Sequence, residues 1–78
     1  MEKVFKYFPI VEVESAGTGK SYRLEKSKIR LTEDKLSEHI NQYNNPIIGR
    51  EVSTSGLIIY YDEISNKPLF ATLLTNNK

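Results

Sequence analysis

Residues 32–46 read TEDKLSEHINQYNNP, and this stretch decides the fold class because it predicts one helix within a chain otherwise patterned for strands. Thr32 can cap the helix through its hydroxyl, and the two acids that follow suit the positive end of the helix dipole. Asn44-Asn45-Pro46 should end the helix, because asparagine tolerates a left-handed cap and proline cannot continue a helix. The apolar side chains at helical spacing, which we expect in the core, are Leu36, Ile40 and Tyr43. The sequence therefore predicts a helix over residues 33–44.

Two strand-like segments precede this helix. Residues 3–14 alternate apolar and polar side chains, and residues 21–31 do so with a change of parity that predicts a bulge or break near Ser27. Pro9 removes a backbone donor within the first segment, so we expect an edge position or a bulge there. The glycines of the intervening segment 16–19 predict a turn, since glycine takes a positive φ without steric strain.

Three strand-like segments follow the helix, at residues 49–54, 57–64 and 69–75. The resulting order, β-β-α-β-β-β, predicts an α+β domain: a small, mostly antiparallel sheet of four or five strands with one helix on one face. The alternative is a small OB-like β-barrel with one helix, which needs three strands before that helix. A bend at Pro9 would supply the third strand.

The composition predicts a single small soluble domain over residues 1–78. Cysteine is absent, so no disulfide or thiolate metal site can form, which is typical of the cytoplasm. The longest apolar run, Leu57 to Tyr61, is far shorter than the ~20 residues that span a bilayer, and the N-terminus lacks a signal-peptide core. Plentiful Lys, Asn, Ile and Tyr with scarce Ala and Arg indicate an AT-rich genome, so we expect a bacterial or phage protein.

One motif invites a wrong assignment. Residues 16–21 read AGTGKS, which looks like the end of a nucleotide-binding P-loop. That motif needs a glycine where Glu14 stands, and it must lie between a strand and a helix, whereas strand signals follow here. We therefore expect a hairpin turn that binds no nucleotide.

No residue set for catalysis or metal binding is visible. His39 is the only histidine and has no cysteine to complete a zinc site, so we expect a packed or half-exposed helix histidine. Asp62 and Glu63 are adjacent on a strand, where side chains alternate between faces, and so cannot act together as acid and base. The sequence predicts a non-enzymatic protein without cofactor or metal.

Basic side chains concentrate in the first part of the chain. Residues 1–32 hold seven basic and four acidic side chains, a net charge of +3, although the whole chain carries only +1. Five residues of the second strand-like segment share one parity, namely Lys20, Tyr22, Lys26, Lys28 and Arg30. An unbroken strand would present them as a basic ribbon that suits phosphates, with one ring able to stack on a base. The alternative functional hypothesis is thus a nucleic-acid-binding module, while edge protection by lysine would also explain the pattern.

The apolar residues exceed what one helix can cover. Residues 57–61 and 69–74 show little alternation, so both faces of their strands should be buried. Either the sheet closes into a barrel or a second molecule covers its open face, and the abundant tyrosines favour the second case. The side chains predicted to contact that molecule are Tyr60, Tyr61, Phe8 and Phe70. The first functional hypothesis is therefore a protein-binding adaptor or inhibitor, homodimeric, of the small accessory kind found in bacteria and phages.

Overall fold

The computed structural model describes residues 3–9, 11–17, 19–52 and 54–75, and this part of the chain forms seven strands and one helix. The elements in chain order are β1 (Val4–Phe8), β2 (Val11–Ala16), β3 (Gly19–Leu24), β4 (Arg30–Thr32), α1 (Glu33–Asn41), β5 (Ile47–Glu51), β6 (Leu57–Asp62) and β7 (Pro68–Thr75). Five strands form an antiparallel sheet in the order β4-β1-β7-β6-β5, and β2 pairs with β3 as a separate hairpin. The predicted α+β class, with a mostly antiparallel five-stranded sheet and one helix, is confirmed.

The five-stranded sheet is open. Closing a sheet into a barrel requires its two edge strands to pair, and here β4 and β5 lie at opposite edges. Within the described residues there is no closed barrel, so the OB-like alternative is wrong.

Pro9 marks the point where the chain leaves the main sheet. β1 ends at Phe8 and β2 begins at Val11, so the single strand predicted over residues 3–14 is two strands in two different sheets. A proline cannot donate to a strand ladder, and the chain changes direction where that donor is missing. The hairpin then turns at Gly17, whose φ of 60° is a left-handed conformation that favours glycine, which confirms the predicted turn.

The hairpin of β2 and β3 covers one face of the sheet, which we call the hairpin side. Val11 of β2 packs with Ile59, Tyr61 and Ala71 of the sheet, and all four are buried. Partly buried apolar side chains around this cluster are Phe8, Val13, Tyr22, Leu24, Val52 and Leu57. The apolar surplus on this face is therefore covered by the chain itself. This removes the premise of an open face on which the expectation of a covering partner rested.

Helix α1 packs on the opposite face, the helix side. Thr32 caps it as predicted, since the Lys35 N–H donates to the Thr32 hydroxyl at 3.3 Å. Leu36 is buried, whereas Ile40 and Tyr43 are only half-buried. The helix is shorter than predicted and ends at Asn41, because the N–H groups of residues 42 and 43 bond to the carbonyls three residues earlier and tighten the last turn.

The second predicted strand breaks where its parity changes. Residues 25–29 have no regular structure and separate β3 from β4, so the predicted break near Ser27 is confirmed. β6 ends at Asp62 rather than at residue 64, because the Asp62 carboxylate accepts the N–H groups of Ile64 and Ser65 and fixes a turn there. No helix in the described part of the chain is long and apolar enough to cross a membrane.

Candidate anion-binding site

A cleft lined by three lysines lies beside β1 on the hairpin side of the sheet. Its volume is about 460 Å³, and its lining residues are Lys6, Phe8, Lys26, Ser27 and Lys28. The first two project from β1 to the same face, because side chains two apart on a strand share a face. The other three come from the segment 25–29 that joins β3 to β4. We refer to this feature as the lysine cleft.

The strand register places two cations directly opposite each other at the border of the cleft. Lys6 of β1 is the cross-strand partner of Arg30 of β4, and both side chains are exposed. Directly opposed residues have Cβ atoms about 5 Å apart and point to the same face, and like charges in this position are destabilising. The sheet therefore holds a repulsive pair beside two further lysines, Lys26 and Lys28.

None of these four cations is neutralised by an acid in the described residues. The ion pairs found there, Lys3–Glu33, Arg23–Glu12 and Lys35–Glu38, all involve other basic groups. Glu25, the acid nearest in sequence to the cleft, forms no ion pair with its lysines. The cleft is thus a local excess of positive charge with room for an anion.

Backbone hydrogen bonds hold the segment 25–29 against β1. The Tyr7 N–H donates to the Ile29 carbonyl at 3.0 Å, which continues the contact of β1 with β4 beyond the last paired residue of β4. The Ile29 N–H in turn donates to the Ser27 hydroxyl at 3.0 Å, a local turn bond. The lysine cleft is therefore built by the fold, and its lysines extend from a tethered segment.

The structure brings together only part of the predicted basic ribbon. Lys26 and Lys28 line the cleft and Arg30 borders it, but Lys20 lies at the opposite end of β3, beside the hairpin turn. Tyr22 points into the core on the hairpin side and hydrogen-bonds to Tyr61. It therefore cannot be the stacking residue of a basic ribbon.

Sequence reasoning missed Lys6 and assigned Phe8 to a different role. Lys6 belongs to the cleft only because β1 pairs with β4, and such pairing between distant segments leaves no local signal. Phe8 was predicted to contact a protein partner, but it lines the lysine cleft while packing against the core cluster. The available signal was the shared parity of Lys6 and Phe8.

The other apolar side chains predicted to contact a partner lie inside the chain. Phe70 is fully buried on the helix side, and Tyr61 is buried on the hairpin side. Tyr60 is half-buried and stacks on Phe70 with ring centroids 4.6 Å apart. These rings stabilise the two cores and form no open patch.

His39 lies in an aromatic cluster on the helix side. Its Nε2 is 3.0 Å from the Tyr7 hydroxyl and 3.4 Å from the Tyr43 hydroxyl, and its ring meets Phe70 edge to face at 4.8 Å. Burial lowers the pKa of His39, and burial, together with the neighbouring Tyr43, raises the pKa of Tyr7. Both shifts favour neutral groups, so we interpret the cluster as polar core packing. This agrees with the predicted half-exposed helix histidine.

Two further predictions concern nucleotide and metal sites. The P-loop-like residues lie between the two strands of a hairpin, and Gly19 opens β3, so the strand–helix context of a P-loop is missing. In the described ranges, no group of three or more His, Asp or Glu side chains is arranged to hold a metal ion.

Comparisons of the chain with protein-family models, with curated proteins and with solved structures found no match.

Proposed function

We propose that this protein is a non-enzymatic nucleic-acid-binding module and that the lysine cleft contacts the phosphate backbone. The observation that carries this proposal is the cross-strand pair Lys6–Arg30, which places two unneutralised cations side by side at the border of a cleft with two more lysines. A repulsive pair lowers stability, and such violations of folding rules are expected at functional sites. Bound phosphates would relieve the repulsion.

A chain of phosphates fits this arrangement better than a single small anion. The four cations are spread along the border of β1, the segment 25–29 and β4, and they do not converge on one enclosed point. Lysine acts on phosphate as a point charge, and each lysine–phosphate contact releases condensed counterions. Binding should therefore depend steeply on salt.

The experiment that tests the proposal is a salt titration of binding to a labelled short oligothymidylate, followed by fluorescence anisotropy. We expect tight binding at low salt that weakens steeply as salt is added. The variant Lys26→Ser, Lys28→Ser, Arg30→Ser should make the slope of log K against log salt less steep by about 2, since each lost single-strand contact removes ~0.7.

The matched control is Lys20→Ser, Lys35→Ser, Lys67→Ser, which removes the same charge from exposed positions outside the cleft. It should keep most of the affinity and the slope of the unsubstituted protein. Absence of binding at low salt, or equal losses in the two triple variants, would contradict the proposal. Circular dichroism of both variants checks that the fold is retained.

A second candidate function is a protein-binding adaptor or inhibitor that acts as a homodimer. The observation that favours it is the edge strand β5, which pairs with β6 on one side only and has four exposed residues, including Ile48. Edge strands offer unpaired backbone groups to a strand from another chain. Sedimentation equilibrium would then show a dimer that dissociates in Ile48→Lys, and a monomer at every concentration would speak against it. For both candidates we place the protein in the cytoplasm of a bacterium or of a phage-infected cell.

A further inference from the structure

We infer that the lysine cleft selects single-stranded over double-stranded nucleic acid by stacking one base on Phe8. This inference rests on the proposed function and names the form of nucleic acid that the same site takes. Phe8 is the aromatic residue among those that line the cleft, and it stands between Lys6 on its own strand and Lys26 and Lys28 on the neighbouring segment. A ring flanked by cations is the arrangement on which single strands are bound.

The position of Phe8 is fixed by the core. One part of the side chain packs against the buried cluster on the hairpin side, and the ring also lines the cleft, so it is half-buried. A ring held in this way loses little conformational freedom when a base stacks on it. Phe8 is thus a rigid platform, unlike the long lysine side chains around it.

The dimensions of the cleft suit one nucleotide. A volume of about 460 Å³ lies within the ~300–1,000 Å³ typical of small-molecule pockets, so it can admit a base together with part of its sugar. The apolar platform lies within the cleft and the cations lie around it, as the apolar face of a base and its charged phosphate require.

A duplex does not fit this arrangement. Its bases are stacked on one another, so no base face is free to meet Phe8 unless one is flipped out at the cost of unstacking. Only phosphates at the surface of the duplex could reach the lysines. Duplex binding would therefore use the charges alone and would be weaker than single-strand binding.

The test compares three ligands of equal length on the unsubstituted protein: an oligothymidylate, an abasic deoxyribose-phosphate chain and a duplex. We expect the oligothymidylate to bind about tenfold tighter than the abasic chain, since stacking of one base is typically worth a factor of this order. The abasic chain and the duplex should bind with similar affinity through phosphates.

The variant Phe8→Leu keeps an apolar side chain in the core and removes the ring. It should abolish the preference for the oligothymidylate and leave binding of the abasic chain unchanged. Equal affinity of the unsubstituted protein for the oligothymidylate and the abasic chain would overturn the stacking inference and leave the phosphate-binding proposal standing. Failure of all three ligands to bind at low salt would overturn both. A preference that survives in Phe8→Leu would remove Phe8 from the account.

Discussion

At the scale of single residues, His39 shows how a polar group is accommodated under the helix. Its Nε2 lies between the hydroxyls of Tyr7 and Tyr43, and a neutral imidazole can accept a hydrogen bond there. Burial lowers the pKa of His39 below the ordinary value of 6.5, so the folded state takes up a proton less readily than the unfolded chain.

This shift has a predictable sign in the pH dependence of stability. As the pH falls below 6.5, the unfolded chain becomes protonated first, so the free energy of unfolding should fall until the pH reaches the lower, folded-state pKa. Above 6.5 the contribution of His39 to stability is fully present. Urea denaturation between neutral and mildly acidic pH should show this loss, and His39→Gln should flatten it because glutamine does not titrate. An NMR titration that places the pKa of His39 at or above 6.5 would contradict the interpretation.

Thr72 offers a second test at the same scale. Its side chain is fully buried, and its hydroxyl has no hydrogen-bond partner in the described structure. Burying an unpaired hydroxyl is unfavourable by roughly 1–3 kcal/mol. Thr72→Val keeps the shape and removes the hydroxyl, so we expect it to raise the free energy of unfolding by about 1 kcal/mol. A lower stability of this variant in urea denaturation would show that the hydroxyl has a partner.

At the scale of elements, the sequence was informative wherever the signal was local. The cap at Thr32, the turn at Gly17 and the bend at Pro9 each depend on the chemistry of one residue, and the structure confirms all three. The break near Ser27 followed from a parity change, which is also local. The pairing of β1 with β4, which creates the Lys6–Arg30 pair, depends on contacts between distant segments, so that part of the candidate site could not be predicted.

The register of helix α1 can be checked by substitution. Leu36 is the buried residue of its stripe, whereas the next residue, Ser37, is exposed. Leu36→Ala should lower the free energy of unfolding by about 2–5 kcal/mol, the usual range for a large-to-small change in a core. Ser37→Ala is the control and should change it by less than about 0.5 kcal/mol. Similar small effects of both substitutions in urea denaturation would place the stripe in solvent.

At the scale of the whole molecule, a helix and a hairpin cover the two sides of one five-stranded sheet. The sequence correctly indicated that both faces need burial, because Ile59 and Tyr60 are adjacent apolar residues on one strand. It did not indicate that the covering layer is the chain's own hairpin, although Val11 and Val13 alternate with the exposed Glu12 and so already mark one buried face. With both faces covered, the lysine cleft and the edge of β5 are the features that we associate with function.

The central claim, that the lysine cleft is the nucleic-acid contact, is tested most directly by chemical-shift mapping. The ¹⁵N-labelled protein is titrated with a short oligothymidylate at low salt, and the amide shifts are followed residue by residue. We predict that the largest shifts fall in β1, in residues 25–29 and in β4, and that they disappear in the variant Lys26→Ser, Lys28→Ser, Arg30→Ser. Shifts centred on β5 or on α1, or no shifts at all, would contradict the claim.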